Sequence, residues 1–391
     1  MKTIDQIQPD HLHVLQVVGD PVGGIRKHVH TIINDLHRFH SSLELSYAYS
    51  STNTDERFKS DIENLRTKLT GEVQLTVKKK PHSSDIKNII LLMRFVKRTN
   101  VDIVHGHGAK GGLYARVLSI LCGVKSIYTP HGGVVHKMFN PFADQLYSLV
   151  EKSLLSYTDY IVFESRYTAC NYRDKCGRLP DNWEVNYNGL EYKDIIAVVE
   201  KSQKLAIMVS NVTNIGVFGM LRKEKGQIFA LKAVHELVER GFKIKLHIFG
   251  NGPDRELLQS KTKELGIDNE VIFYPDTAEV DLFMAAMDIV VIPSLFDAFP
   301  YVALEALSMG KHVIASNVGG IPEIFSHYNN GQLVPPGNSE LLTDAIVNYM
   351  MSDKNKTIEC KVASEFTIDK MLTNLVKVYS SAMKDSQAAS K

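Results

Sequence analysis

The chain of 391 residues exceeds one ordinary domain and, at about 150 residues per domain, holds two or three. Apolar residues at 44% and charged residues at 23% exclude a disordered chain. Forty-five basic residues against 44 acidic ones leave a net charge of +1, which argues against a dedicated nucleic-acid binder.

Short β-branched runs alternate with helical periodicity from the start, the pattern of a parallel sheet covered by helices on both faces. The spacing predicts strands at His13–Val18, Leu43–Ala48, Val101–His105, Val124–Tyr128, Tyr160–Phe163 and Glu184–Tyr187. Helices are expected near Ile86–Arg98, Gly111–Leu121 and Pro141–Leu155. A polar stretch over 191–212 reads as an interdomain linker, with a first domain over 1–190. A second alternation follows over 213–365. Its strands are expected at Ile215–Phe218, Ile244–Phe249, Val271–Phe273, Ile289–Ile292 and His312–Ala315. Its helices are expected at Gln227–Arg240, Arg255–Leu265, Val280–Ala286 and Tyr301–Met309. Residues 366–391 form a last helix that is expected to pack back on the first domain. Two doubly wound, Rossmann-like domains facing a central cleft would place ligands at the carboxyl ends of their strands.

Cys122, Cys170, Cys176 and Cys360 make no CxxC pair and no zinc framework, as in a cytoplasmic protein with reduced thiols. The N-terminal stretch lacks the apolar core of a signal peptide. The apolar run Ile89–Met93 is far too short for a membrane span. The expected location is the cytoplasm, with contact at the inner face of the cytoplasmic membrane at most.

Six segments carry the candidate chemistry. Gly23 and Gly24 end the loop between the first strand and the first helix, where bare backbone approaches a ligand and unpaired N–H groups face an anion. The spacing of Gly19, Gly23 and Gly24 does not make a dinucleotide fingerprint. His107 in DIVHGHGAKGG and His131 in YTPHGG follow consecutive strands and are flanked by glycines, positions from which an imidazole can reach a phosphate or a sugar hydroxyl. Lys110 and His131 are the candidates for contact with an acceptor. In GMLRKEKG, Arg222 offers a bidentate fork and Lys225 a point charge to phosphate oxygens. In PSLFDAFPYVALEALSMGKHVIAS, Asp297 lies in a loop after a strand and Glu305 eight residues later in a helix, carboxylates suited to sugar hydroxyls. Gly319, Gly320 and Ile321 open the next helix.

Residues 215 to about 346 resemble the donor-binding domain of glycosyltransferase family 4, retaining enzymes of the GT-B fold. The ordered signatures are GMLRKEKG, GNGPDRELL, the Asp297 segment, NVGGIPEI and NGQLVPPGN. GDPVGGIRKHV, DIVHGHGAKGG and YTPHGG carry a weaker resemblance in the first half. The resemblance implies a mobile loop at Gly23 and Gly24, an active-site histidine at His107 and a diphosphate-binding lysine at Lys225. It implies that Asp297 orients the sugar, that Glu305 holds the ribose, and that Gly319, Gly320 and Ile321 lie near phosphate and ribose. Ala298 and Phe299, between the two carboxylates, join the donor set. Three departures stand out. The family's Gly-Arg pair reads Gly219-Met220, leaving Arg222 as the replacement cation. The first glutamate of its E-x7-E element is Asp297, and Pro300 removes an N–H that a glycine would offer.

The resemblance therefore implies hexosyl transfer from a UDP- or GDP-linked donor to a hydroxyl of a glycan or lipid-linked glycan, in the synthesis of a bacterial surface polysaccharide such as lipopolysaccharide or capsule. It further implies retention by front-face attack, with no covalent residue. No DxD motif occurs, so no metal and no cofactor are expected beyond the nucleotide sugar co-substrate. Lys225, Arg222 and helix N-termini would neutralise the leaving diphosphate. Ile86, Ile89, Ile90, Met93 and Val96 share a helical stripe with Lys87, Arg94, Lys97 and Arg98 largely opposite, preceded by Lys78-Lys79-Lys80. That pattern reads as a core-packed helix, or as a basic face resting on anionic lipid. A sugar-nucleotide 2-epimerase of the same architecture and a non-catalytic partner subunit are the alternatives.

Overall fold

The computed structural model describes residues 11–78, 80–132, 141–202, 212–352 and 359–389; Lys79, Gly133 and the stretch 203–211 between the two halves lie outside them. The chain divides into two compact units, 1–188 with 368–391, and 189–367.

The first unit is built from β1 (Leu12–Val18), α1 (Gly23–Asp35), β2 (Leu43–Ser50), α2 (Glu56–Arg66), β3 (Gly71–Leu75), α3 (Ser83–Thr99), β4 (Ile103–His107), α4 (Gly108–Cys122), β5 (Lys125–Thr129), α5 (Pro141–Leu154), β6 (Tyr160–Phe163), α6 (Arg166–Cys176) and β7 (Trp183–Val185). Its seven strands are ordered β3-β2-β1-β4-β5-β6-β7, and each described pair is parallel. All seven residues of β1 are buried, as expected for a parallel strand covered on both faces, which leaves no polar alternation to read. Val29, Ile32 and Ile33 repeat at helical spacing and seal α1 onto the sheet. The order of connection reverses between β1 and β4, which opens a crevice at their carboxyl ends.

The second unit runs α7 (Tyr192–Ser202), β8 (Thr213–Phe218), α8 (Gln227–Glu239), β9 (Ile244–Phe249), α9 (Arg255–Glu264), β10 (Val271–Tyr274), α10 (Val280–Ala286), β11 (Ile289–Ile292), α11 (Tyr301–Ser308), β12 (His312–Ser316), α12 (Ile321–Phe325), β13 (Gly331–Val334) and α13 (Ser339–Met351). Its parallel sheet is ordered β10-β9-β8-β11-β12-β13, and here the reversal falls between β8 and β11. A last helix, α14 (Ile368–Ala389), returns to the first unit, where Met371, Leu372, Leu375 and Tyr379 are buried with Leu12, Val14, Ile103 and Ile127. Asn186 Nδ2 donates to the Met371 carbonyl at 3.0 Å and ties the end of β7 to this helix.

Two sequence expectations are corrected. Residues 191–212 are not a plain linker, because 192–202 are helical and belong to the second unit. On α3, the face turned inward is Ser84, Asn88, Leu92, Phe95 and Val96, whereas Ile86 is 64% exposed and Ile90 and Leu91 are exposed beside Lys87 and Arg94. Asn88 sets that rotation. Its Oδ1 accepts from the Thr76 N–H and its Nδ2 donates to the Thr76 carbonyl and the Tyr114 hydroxyl.

Candidate active site

In the first unit the glycines of the HGHGAKGG segment serve close packing. A Cβ at Gly106 would lie 2.2 Å from the Gly111 carbonyl oxygen, one at Gly111 would lie 2.3 Å from the Val17 carbonyl oxygen, and one at Gly112 would enter the Tyr128 ring. β4 can therefore pass straight into α4, with His107 as the residue before the helix. His107 is 1% exposed, and both its ring nitrogens are occupied: Nε2 lies 2.8 Å from Gln16 Oε1 and Nδ1 lies 3.0 Å from His131 Nε2. His131 follows β5 in the left-handed region, φ 49°, which a histidine seldom adopts. Its Nδ1 lies 2.9 Å from Glu164 Oε1, at the end of β6. His28, one turn into α1, contacts Asn188 Oδ1 through its Nδ1 at 2.8 Å, and Asn188 in turn bonds Glu164. Gln16, His107, His131, Glu164 and Asn188 thus line the carboxyl ends of consecutive strands β1, β4, β5, β6 and β7.

His105 is drawn in differently. Its Nδ1 lies 2.8 Å from the Tyr379 hydroxyl and its Nε2 lies 2.9 Å from Thr129 Oγ1, a fully satisfied core histidine. Gln16 Nε2 donates to the same Tyr379 hydroxyl at 2.9 Å, which turns its Oε1 toward His107. Burial lowers the imidazole of His28 to about 4, with the charge of His131 adding to it. Burial likewise holds His105 and His107 well below the ordinary histidine range, with neighbouring imidazoles adding to the effect. For Glu164 burial pushes upward, but the charge and hydrogen bond of His131 and the bonds from Asn188 outweigh it, so its carboxylate stays ionised.

Three predicted residues stand apart from this cluster. Lys110 is committed to Asp85 Oδ2 at 2.5 Å, and the Tyr114 hydroxyl donates to the same carboxylate. Gly23 and Gly24 are exposed at the start of α1, where Gly23 takes φ 54° and its N–H donates to Asp55 Oδ2 at 2.9 Å. Asp55 also accepts from Arg26 Nε and from the Phe58 N–H, so one carboxylate ties the starts of α1 and α2 together.

In the second unit the loops after β8, β11 and β12 converge. Lys225 Nζ donates to Asp297 Oδ2 at 2.7 Å, and Ser294 Oγ donates to the same oxygen at 3.1 Å. The Asp297 side chain is largely buried, 12% exposed, and Lys225 reaches it from a half-buried position, 28% exposed. The Leu295 N–H donates to the Glu224 carbonyl at 2.9 Å, and the Gly320 N–H donates to the Asp297 carbonyl at 3.2 Å. Gly226, at φ 65°, lets the Lys225 turn pass over the Pro293 carbonyl. Glu305 is 6% exposed on α11. Arg222 Nε is buried and unpartnered among the described residues. Phe299 packs into the interior with its ring 5.5 Å from Phe366, and Ile321 is fully buried, so both support the loops from beneath. Ala298 is half-buried between them.

Sequence reading missed His28, Glu164, Asn188 and Gln16. Glu164 is the residue immediately after a strand, at the same end of the sheet as His107 and His131, and that shared edge was the available signal.

A crevice at a chain reversal, with a lysine–carboxylate pair beneath a helix start, suits an anionic sugar-bearing ligand. Two family models match, "Glycosyltransferase Family 4" over residues 22–193 and "Glycosyl transferases group 1" over residues 204–364. The chain belongs to glycosyltransferase family 4. This glycosyltransferase is 29% identical over 219 residues to an uncharacterized glycosyltransferase of Methanocaldococcus jannaschii, a match covering 52% of this chain and 55% of that one. It is 22% identical over 313 residues to the Escherichia coli UDP-Gal:alpha-D-GlcNAc-diphosphoundecaprenol alpha-1,3-galactosyltransferase, covering 75% of this chain and 79% of that one. Among solved structures, the Anabaena HepE complex with UDP-glucose superposes with a TM-score of 0.72 at 20% identity, over 97% of this chain and 100% of that one. The fold of this glycosyltransferase is GT-B, two Rossmann-like units each with a parallel sheet.

Proposed function

We propose that this glycosyltransferase moves a hexosyl group from a UDP- or GDP-linked donor to a hydroxyl of a glycan or lipid-linked glycan, with retention at the anomeric carbon. The observation that carries the donor half is the Lys225–Asp297 pair at the reversal point of the second sheet. With no donor bound, each group neutralises the other and holds its rotamer. When the diphosphate arrives, Lys225 turns its positive charge to the phosphate oxygens, and Asp297 is released to accept hydrogen bonds from sugar hydroxyls. Arg222, whose buried Nε lacks a partner among the described residues, supplies the second cation in place of the arginine absent at Met220. Glu305 takes the ribose, and Gly319 and Gly320 bring bare backbone to the phosphates. Developing charge on the leaving diphosphate is thereby met by fixed cations and N–H groups, without a metal at the diphosphate.

In the first unit, His107 acts as a positioning residue, because both its ring nitrogens are occupied and it reaches a ligand only through His131. The lipid-linked acceptor draws support from two sources. The E. coli relative is named for an undecaprenol-linked one, and α3 exposes Ile86, Ile90 and Leu91 among Lys87, Arg94, Lys97 and Arg98. Such a mixed apolar and basic face suits the interface of an anionic membrane. Among the described residues no helix is long and apolar enough to cross one.

The reading is tested by thermal unfolding of the wild type and Lys225→Ala with UDP, GDP, ADP and their hexose conjugates. A single base that raises stability, with the rise lost in the variant, is expected. A protein that no nucleotide stabilises would favour a non-catalytic partner subunit. Epimerised sugar nucleotide formed without an acceptor would favour the epimerase.

A further inference from the structure

We propose that His28, His107 and His131 bind one divalent transition-metal ion of the zinc class, with a fourth coordination position left for water or an oxygen ligand. The proposal concerns the first unit alone and does not rest on the donor reading above.

Its basis is the arrangement of the three rings. One nitrogen of each lies within 4.8 Å of the others. The ring centroids are 5.6 Å apart for His28 and His107, 5.1 Å for His28 and His131, and 5.2 Å for His107 and His131. Three imidazoles on one zinc, with Zn–N about 2.0–2.1 Å and near-tetrahedral angles, hold their centroids about 5.2 Å apart. The rings are therefore spaced as a tripod on one ion would require, and small tilts within the cluster complete it.

A second and independent observation lies behind the rings. The far nitrogen of each is held by an oxygen: His107 Nε2 by Gln16 Oε1, His131 Nδ1 by Glu164 Oε1 and His28 Nδ1 by Asn188 Oδ1. Metal-binding histidines donate their distal N–H in this way, which fixes the tautomer and leaves the other nitrogen's lone pair for the ion. Here that rule leaves His28 Nε2, His107 Nδ1 and His131 Nε2 as ligands. The acceptors are themselves braced, Gln16 by Tyr379 and Asn188 by Glu164. Imidazole nitrogens select ions such as zinc, cobalt, nickel or copper over magnesium and calcium. A divalent ion would also balance the buried Glu164 carboxylate. The competing occupant is a single proton shared across the 3.0 Å gap between His107 Nδ1 and His131 Nε2.

The test uses untagged, chelator-stripped full-length protein titrated with Co²⁺ and followed by visible absorption. One Co²⁺ per chain with the intense bands of a tetrahedral site, displaced by Zn²⁺, is expected. His131→Asn, a residue that tolerates the left-handed backbone there, and His28→Leu should abolish the bands in variants that circular dichroism shows to be folded. Glu164→Gln should weaken binding about 10- to 100-fold, as loss of an outer partner does. The proposal falls if no stoichiometric ion binds, if the spectrum is the weak one of an octahedral ion, or if the bands survive His131→Asn. Should a histidine variant fail to fold, metal content of the wild type grown with zinc decides: one zinc per chain supports the site, and none overturns it.

Discussion

Replacing Gly319 by alanine should damage the donor site far more than its small size suggests. Gly319 takes φ 63°, and a Cβ there would lie 1.5 Å from the Asp297 carbonyl oxygen. A left-handed alanine alone costs about 1–2 kcal/mol. The obstruction is backbone, so a side-chain rotation does not relieve it. The Asp297 loop must shift, which loosens the Gly320-to-Asp297 hydrogen bond and the Lys225 pair. A total of about 3–5 kcal/mol is expected, the range for forced overpacking added to strain. Gly266→Ala is the matched control, because Gly266 takes φ 66° with nothing within 4 Å of a Cβ. It should lose only the backbone part, about 1–2 kcal/mol. Urea unfolding of both variants, with UDP and GDP titrations alongside, separates the two terms. If Gly319→Ala matches Gly266→Ala in stability and binds nucleotide like the wild type, the convergence of loops on Asp297 is wrong.

Arg116 is fully buried and bidentate to Glu151 at 2.7 and 2.9 Å, with the Tyr172 hydroxyl on the same carboxylate and the Tyr128 ring beneath the guanidinium. Arg116→Met strands a buried carboxylate and should cost about 3–5 kcal/mol in urea unfolding, without altering nucleotide affinity. Burial lowers His30, His247 and His312 from the ordinary value of 6.5, so the folded state keeps them neutral where the unfolded chain takes up protons. Stability is therefore full above about pH 6.5 and falls as pH drops below it, and His247→Asn should flatten the fall in unfolding temperature between pH 6.5 and 5. Replacing Ile86, Ile90 and Leu91 together by serine should reduce co-sedimentation with vesicles of anionic lipid and leave unfolding unchanged, since all three are exposed. Equal co-sedimentation of the wild type with anionic and neutral vesicles would remove the membrane role.

The donor half of the molecule was legible because its chemistry sits in ordered, short-range signatures. Lys225 and Asp297 were named separately from strand ends, and the fold brings them to 2.7 Å. The histidine cluster was only half legible. His107 and His131 stood out among glycines, but Glu164 and Asn188 come from strands whose partners are set by sheet order, which no local pattern encodes. His28 was hidden on an apolar helix face, where a buried imidazole looks like core. The α3 stripe was misread because two faces of that helix carry apolar residues at helical spacing, and the choice fell to Asn88 and its bonds to Thr76 and Tyr114. The glycines of the HGHGAKGG segment were read only as flanking His107, and their packing role was not legible: the nearest obstacles to a Cβ at three of them are the protein's own backbone and Tyr128.

The division of labour between Lys225 and Asp297 is tested most directly by calorimetric titration of UDP and GDP, and of their hexose conjugates, into the wild type, Lys225→Met and Asp297→Asn. The account predicts that Lys225→Met weakens the diphosphate and its conjugate alike, by about 10- to 100-fold for the loss of one charged hydrogen bond. Asp297→Asn, which frees Lys225 from its 2.7 Å partner, should bind the bare diphosphate as tightly as the wild type or more so, while losing the extra affinity for the sugar. A diphosphate affinity that falls as far in Asp297→Asn as in Lys225→Met would contradict it.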